Sequence, residues 1–270
     1  MELTKVQDFV SYDYSTMFEP GSFFSYFSHP AVPIVSVVLY LTLSNVVCEG
    51  IRNTFKLEPK GPLIQTITIV HSALLAIYSG WTFINSWNIV IAYLLQTDYW
   101  TTFCDADNTL WTAHNLGFWV THFYLSKYYE FIDTWIVLLK GKKPIFLQTY
   151  HHAGIVILMW MFVATKATGG ALITLTFNSF IHTLMYTYYT LAALGYQSPL
   201  KNYLTQAQLT QFVVGIAVTS PLLVASRSCI NEAQWFTVVS IDVYAVILIV
   251  LFYQFYVDSY IKKKAAKKAA

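Results

Sequence analysis

The sequence predicts an all-α membrane protein with seven transmembrane helices. Three observations carry this. Of 270 residues, 56% are hydrophobic and only 11% are charged, against about 25% charged in an average soluble domain. The apolar residues come in long runs instead of amphipathic stripes, so too few charges remain to cover a water-facing surface. Lys and Arg gather in alternate connections, as they do between membrane spans. Helices follow because backbone polar groups in lipid must be satisfied within their own segment.

The elements are taken in chain order. Residues 1–28 are polar and aromatic, with no basic stretch leading into an apolar one, so a cleavable signal peptide is not expected. The first apolar run reads as an uncleaved signal-anchor. The expected spans are Ala31–Cys48, Pro62–Phe83, Leu110–Leu139, Phe146–Val163, Ala171–Leu194, Gln206–Ser226 and Trp235–Tyr256. Each has roughly 18 to 30 residues, enough to cross a hydrocarbon core of about 30 Å. Trp87–Gln96 is too short to span alone and is expected to be interfacial or re-entrant. Residues 1–270 are read as one domain, with 1–30 a luminal segment and 257–270 a cytosolic basic tail.

Charge sets the orientation. Arg52, Lys56 and Lys60, then Lys140, Lys142 and Lys143, then Lys201, then Lys262, Lys263, Lys264, Lys267 and Lys268 all fall on one side of seven alternating spans. Lys5, Lys166 and Arg227 fall on the other. The basic side is the cytosolic one, so the N-terminus is luminal and the C-terminus cytosolic. The ending Lys267-Lys268-Ala269-Ala270 resembles a dilysine retrieval signal for the endoplasmic reticulum; the plainer alternative is a basic membrane-proximal tail. Cys104 and Cys229 lie in luminal loops, where a bridge can persist, and Cys48 lies at the cytosolic end of the first span. A Cys104–Cys229 disulfide is expected; the alternative is two free thiols. The net charge of +2 is uninformative, and no basic patch with interleaved aromatics calls for nucleic acid.

Ionisable groups inside a membrane are expensive and usually functional. The third span holds Lys127, Glu130 and Asp133 at spacings of three, on one helix face, followed by Thr134. Lys127 can pair with Glu130, as a packing device or as part of the chemistry. The fourth span opens with Gln148, His151 and His152. The fifth carries Asn178, His182, Met185 and Tyr189 on one face, with Tyr186 and Tyr188 between, and the sixth begins with Thr205, Gln208 and Gln211. For the tyrosines and glutamines alone, interhelical hydrogen bonding is the plainer reading. Together the four faces could enclose a polar chamber open to the cytosol with an apolar tunnel beyond it. Such a cavity suits a ligand with a charged head and a long apolar tail, such as an acyl-CoA.

At these four strings the sequence resembles the ELO family of very-long-chain fatty-acid elongases, the 3-oxoacyl-CoA synthases. K-x-x-E-x-x-D-T is matched by Lys127, Glu130, Asp133 and Thr134, and the paired-histidine box by Gln148, His151 and His152. N-x-x-x-H-x-x-M-Y-x-Y-Y is matched by Asn178, His182, Met185, Tyr186, Tyr188 and Tyr189, and T-x-x-Q-x-x-Q by Thr205, Gln208 and Gln211. Many members begin the box with histidine; the Gln148 form resembles a subgroup of microbial elongases of polyunsaturated acids. The resemblance implies condensation of acyl-CoA with malonyl-CoA to 3-oxoacyl-CoA, CO2 and CoA. It also implies six helices around a closed-ended tunnel, with the first span packed outside.

A neutral imidazole can attack a thioester and form an acyl-imidazole, and no cysteine falls in the expected chamber. His151 is the expected nucleophile, with His182 facing it at the enolate or second acyl group and His152 orienting or polarising. Gln148 and Asn178 are candidate oxyanion donors. Lys127, Glu130, Asp133, Thr134, Met185, Tyr186, Tyr189, Gln208 and Gln211 are candidate substrate-binding residues. Lys127 and the loop lysines Lys140 to Lys143 are candidates for the CoA phosphates. Trp111, Trp119, Trp160 and Phe162 near the luminal end are read chiefly as packing. No metal and no cofactor is called for beyond the two CoA substrates. The partners expected are the bilayer and the other enzymes of the elongation cycle, with homo-oligomerisation left open. Condensation without a covalent step, with the histidines as acid and base, is the alternative mechanism. More distant rivals are a di-iron desaturase, which needs about eight ligating histidines where this chain has seven in all, and a seven-span receptor.

Overall fold

The computed structural model describes residues 21–196 and 201–262. The expected retrieval motif Lys267-Lys268-Ala269-Ala270 lies outside the described residues. Among those residues every regular element is helical. A short α1 (Phe23–Ser28) leads into α2 (Ala31–Thr54) and α3 (Pro62–Leu94). The short α4 (Tyr99–Cys104) and α5 (Thr109–Thr112) precede α6 (Leu116–Tyr129) and α7 (Phe131–Leu139). Then come α8 (Phe146–Thr165), α9 (Thr168–Ala193), α10 (Lys201–Thr219), a 3-10 turn (Ser220–Val224), α11 (Glu232–Tyr256) and a π turn (Val257–Ile261).

Five helical stretches among the described residues are long and apolar enough to cross a membrane: Ala31–Thr54, Pro62–Leu94, Phe146–Thr165, Tyr203–Val224 and Glu232–Ile261. The chain is a multi-pass membrane protein. Two expected elements need correction. Trp87–Gln96 is not a separate re-entrant piece, because α3 runs unbroken to Leu94. Its polar residues are absorbed by the helix itself: Asn85 donates to the Trp81 carbonyl and Ser86 to that of Phe83. Nor is Leu110–Leu139 one helix. Asn115 adopts the left-handed conformation that asparagine tolerates, and Glu130 ends α6 and starts α7. The fifth expected span is α9, a helix of 26 residues whose Thr, Asn, His and Tyr content keeps its hydropathy low.

Packing sets the layout. Neighbours in space run α3, α9, α10, α11, α8, α6 and back to α3, and α2 lies chiefly against α7 and α8. One stripe of α2 is buried, Val37, Tyr40, Ser44 and Cys48, at the spacing of one helix face. Trp111 and Phe162 are fully buried, and Trp119 is 6% exposed. Trp160 donates its indole N–H to the Ser28 carbonyl.

One end of the bundle is locked. Cys104 is bonded to Cys229, 125 residues away in sequence. Beside it the buried Asp105 carboxylate accepts from the Leu110 and Trp111 amides and from the Thr168 hydroxyl. At the start of α11, Asn231 and Gln234 form a capping box. Reducing the bridge, or Cys104→Ala, is expected to cost about 2–4 kcal/mol. A thermal-shift measurement with and without reductant reads this, and identical melting would rule out a stabilising role.

Candidate active site

The site is assembled at the other end, where the polar strings of α6 to α10 meet. Behind it lies a buried ion pair. Lys127 is 0% exposed and Glu130 2%. The Lys127 ammonium donates to Glu130 Oε1 at 2.6 Å and to Asn178 Oδ1 at 3.2 Å, and it sits 3.7 Å over the Phe123 ring. An ammonium can only donate, so the Asn178 amide must turn its oxygen to Lys127 and its NH2 toward the cavity it lines. His182 Nδ1 approaches Glu130 Oε1 at 3.5 Å, too long for a good hydrogen bond. Glu130 Oε2 has no partner among the described residues.

Asp133 turns away from this pair. Its carboxylate meets His71 Nε2 of α3 at 3.0 Å and accepts from the Tyr186 hydroxyl at 2.6 Å. Thr134 shares its hydroxyl with Tyr40 of α2 at 2.8 Å and with the Gln148 amide N–H at 3.2 Å. The outer helix α2 thus holds Gln148 through one intermediary. Gln208 donates to the Met185 sulfur at 3.3 Å, and the buried Gln211 Oε1 has no partner among the described residues. The Thr205 hydroxyl is engaged at 3.4 Å by the Lys201 carbonyl of its own helix.

These groups surround a cavity of about 550 Å³ lined by Asp133, Gln148, His151, His152, Asn178, His182, Met185, Tyr186, Tyr188, Tyr189, Gln208 and Gln211. It reaches the helix ends at Lys140 and Lys201. Burial, reinforced by Lys142, draws Lys140 below the ordinary lysine value, so an anion beside it would relieve a real cost. A smaller apolar cavity of about 60 Å³ lies deeper, walled by Ile155, Ile173, Phe177, Gly215, Ile241 and Leu248 among others. His151, Asn178, Gln211 and Phe212 line both cavities. The His151 ring centre is 5.6 Å from that of His152 and 6.4 Å from that of His182. His152 Nδ1 has no partner among the described residues. Among those residues no three His, Cys, Asp or Glu side chains gather as a metal site would require.

The chain matches the ELO: GNS1/SUR4 family over residues 25–268. It belongs to the ELO family of fatty acid elongases. Three relatives illustrate the match. The protein called fatty acid elongase sre1 of Dictyostelium discoideum is 33% identical over 201 residues, 74% of this chain and 75% of its own length. Very long chain fatty acid elongase 5 of Tachysurus fulvidraco is 36% identical over 169 residues, 61% of this chain and 54% of its own length. A putative fatty acid elongase of Dictyostelium discoideum is 28% identical over 269 residues, 97% of this chain and 88% of its own length. No solved structure matches.

The ELO chain brings most of the sequence-derived residues to one cavity. Lys127, Glu130, Thr134, Lys142 and Lys143 are the exceptions, since none of them lines it. Lys127 in particular is 0% exposed and donates to Glu130 and Asn178. The lysines that do line the cavity are Lys140, expected from its loop, and Lys201, read from sequence only as a topology signal. Sequence reasoning missed His71 and Tyr244. His71 carried a signal, an ionisable residue inside an apolar span, which is a functional candidate by default. Tyr244 carried none, because a tyrosine in a hydrophobic helix is ordinary.

Proposed function

We propose that this ELO member condenses malonyl-CoA with a long-chain fatty acyl-CoA to give 3-oxoacyl-CoA, CO2 and CoA. One observation carries the reading: His151 stands at the junction of a polar cavity with a lysine-lined mouth and an apolar one, facing His182. The acyl chain is placed toward the apolar cavity and the CoA phosphates toward Lys140 and Lys201. At about 60 Å³ the apolar cavity holds only the first carbons, so the rest of the chain requires α10 and α11 to part along an extended tunnel. The ring of six helices with α2 outside suits such a tunnel, and α6–α7 and α9 complete a seven-span count. Gln148 favours a polyunsaturated chain by its likeness to the microbial subgroup.

In the favoured mechanism His151 Nε2 attacks the thioester carbon and the CoA thiolate leaves, giving an acyl-imidazolium that keeps its ring proton on Nδ1. Malonyl-CoA then loses CO2, and its second carbon attacks the acyl carbon, freeing His151. The Asn178 NH2 and Gln148 are the oxyanion donors. His182 and His152 manage the enolate and proton. We place the protein in the endoplasmic reticulum membrane, N-terminus luminal and C-terminus cytosolic, working alongside the other enzymes of the elongation cycle. The orientation rests on the lysine asymmetry.

The test is incubation of purified protein with [14C]malonyl-CoA and saturated, monounsaturated and polyunsaturated acyl-CoAs. A labelled product two carbons longer is expected, with the polyunsaturated substrates turned over fastest. Intact mass after acyl-CoA alone is expected to show one acyl adduct on His151. Turnover with no adduct would favour direct condensation with the histidines as acid and base. No product from folded protein would reject the reaction.

A further inference from the structure

We infer that Tyr244 of α11 is a positioning residue that fixes the tautomer of His151. This rests on the reading of His151 as the reacting group. The phenol oxygen lies 2.7 Å from the His151 backbone carbonyl and 3.1 Å from His151 Nδ1. Two oxygens at 2.7 Å without a proton between them would repel, so the one phenolic proton belongs to the carbonyl contact. Toward Nδ1 the phenol oxygen can then only accept. Nδ1 must carry the ring proton, and Nε2 is left with its lone pair. One hydroxyl therefore sets both where the imidazole lies and which nitrogen is free to attack.

The placement of that hydroxyl is built into α8. Tyr150, just before His151, stacks on the Tyr244 ring at 5.3 Å between centres. Three residues after His151, Gly154 opens the notch into which the ring fits. A Cβ there would fall 2.4 Å from Tyr244 Cε2 and 3.1 Å from Cζ. No other residue type lets the ring come so close. Tyr244 is 7% exposed, so its hydroxyl keeps these two partners before any substrate enters. His152 and His182 line the same cavity without such a holder: His152 Nδ1 is buried without a partner among the described residues, and His182 Nδ1 has only the long approach to Glu130 Oε1 at 3.5 Å. This difference singles out His151 as the imidazole whose reacting nitrogen is set in advance.

The deciding variant is Tyr244→Phe, which keeps the ring, the stack on Tyr150 and the fit at Gly154 but loses the hydroxyl. The wild type is assayed beside it with acyl-CoA and malonyl-CoA. The variant is expected to lose about 10- to 100-fold in kcat, the range seen for groups that orient and fix the tautomer of metal-bound histidines. KM for both substrates should stay within about twofold, and the melting temperature should fall by no more than a few degrees, the cost of one lost hydroxyl. The acyl adduct on His151 should form more slowly by the same factor. Gly154→Ala, which displaces the ring, should reproduce the kcat loss. Wild-type kcat in Tyr244→Phe, a change confined to KM, or a kcat loss matched by loss of folded protein would each overturn the inference. An inactive wild type would instead overturn the reading of His151 beneath it.

Discussion

His151→Ala is expected to abolish elongation, with kcat/KM falling by about a thousandfold or more. The fold should survive. His151 is partly buried, and among the described residues its side chain is bonded only to the Tyr244 hydroxyl, which keeps its other partner, the backbone carbonyl, when the imidazole is removed. No buried group is orphaned, so the stability cost should stay near that of an ordinary truncation. The acyl adduct seen by intact mass should vanish with the product. Retention of more than a tenth of the activity would mean that another group attacks the thioester, and His182, facing His151 across the cavity, would be the next to replace.

Lys127→Met should have the largest effect on stability. It leaves Glu130 nearly fully buried with only the distant His182 contact, and it strips Asn178 of the donor that orients its amide. Breaking a buried pair from one side costs about 3–5 kcal/mol, which for a chain of this size is a loss of about 10 °C in melting temperature. Glu130→Gln should cost less, since a neutral amide beside the ammonium still accepts a hydrogen bond. Replacing both together, Lys127→Met with Glu130→Leu, should recover much of the loss, because no unpaired charge remains. Thermal unfolding in detergent reads all three. If Lys127→Met instead melts normally and only raises KM for CoA substrates, the ammonium reaches solvent and binds phosphate, and the scaffold role is wrong.

The contrast between these two residues shows how much of the site the sequence holds. Both sit in strings that stand out because polar side chains are costly in lipid. Spacing alone put Lys127 beside Glu130, since residues three apart on a helix are neighbours wherever the helix goes. The same rule could not place Asp133. It continues the spacing, yet its partners are His71 and Tyr186 on other helices. Glu130 ends α6 and starts α7, so the spacing of three no longer runs along one unbroken helix. The polar dip before Trp87 misleads for a related reason. Hydropathy registers Asn85 and Ser86 as polar, while the helix satisfies both side chains on its own carbonyls.

What the sequence by itself determined is the all-helical membrane class, the family, and the polar strings that line the cavity, because each is written in local composition and spacing. The pairing of Cys104 with Cys229 was legible only through the side of the membrane that charge assigned to each. Tertiary structure alone decided that Lys127 is walled off while Lys140 and Lys201 face the cavity, that His71 joins Asp133, and that Tyr244 meets His151 from 93 positions away. Those contacts depend on how helices rotate and close on one another. That rotation is set by the fit of whole surfaces, such as one ring in the notch at Gly154, which no repeat along the chain encodes.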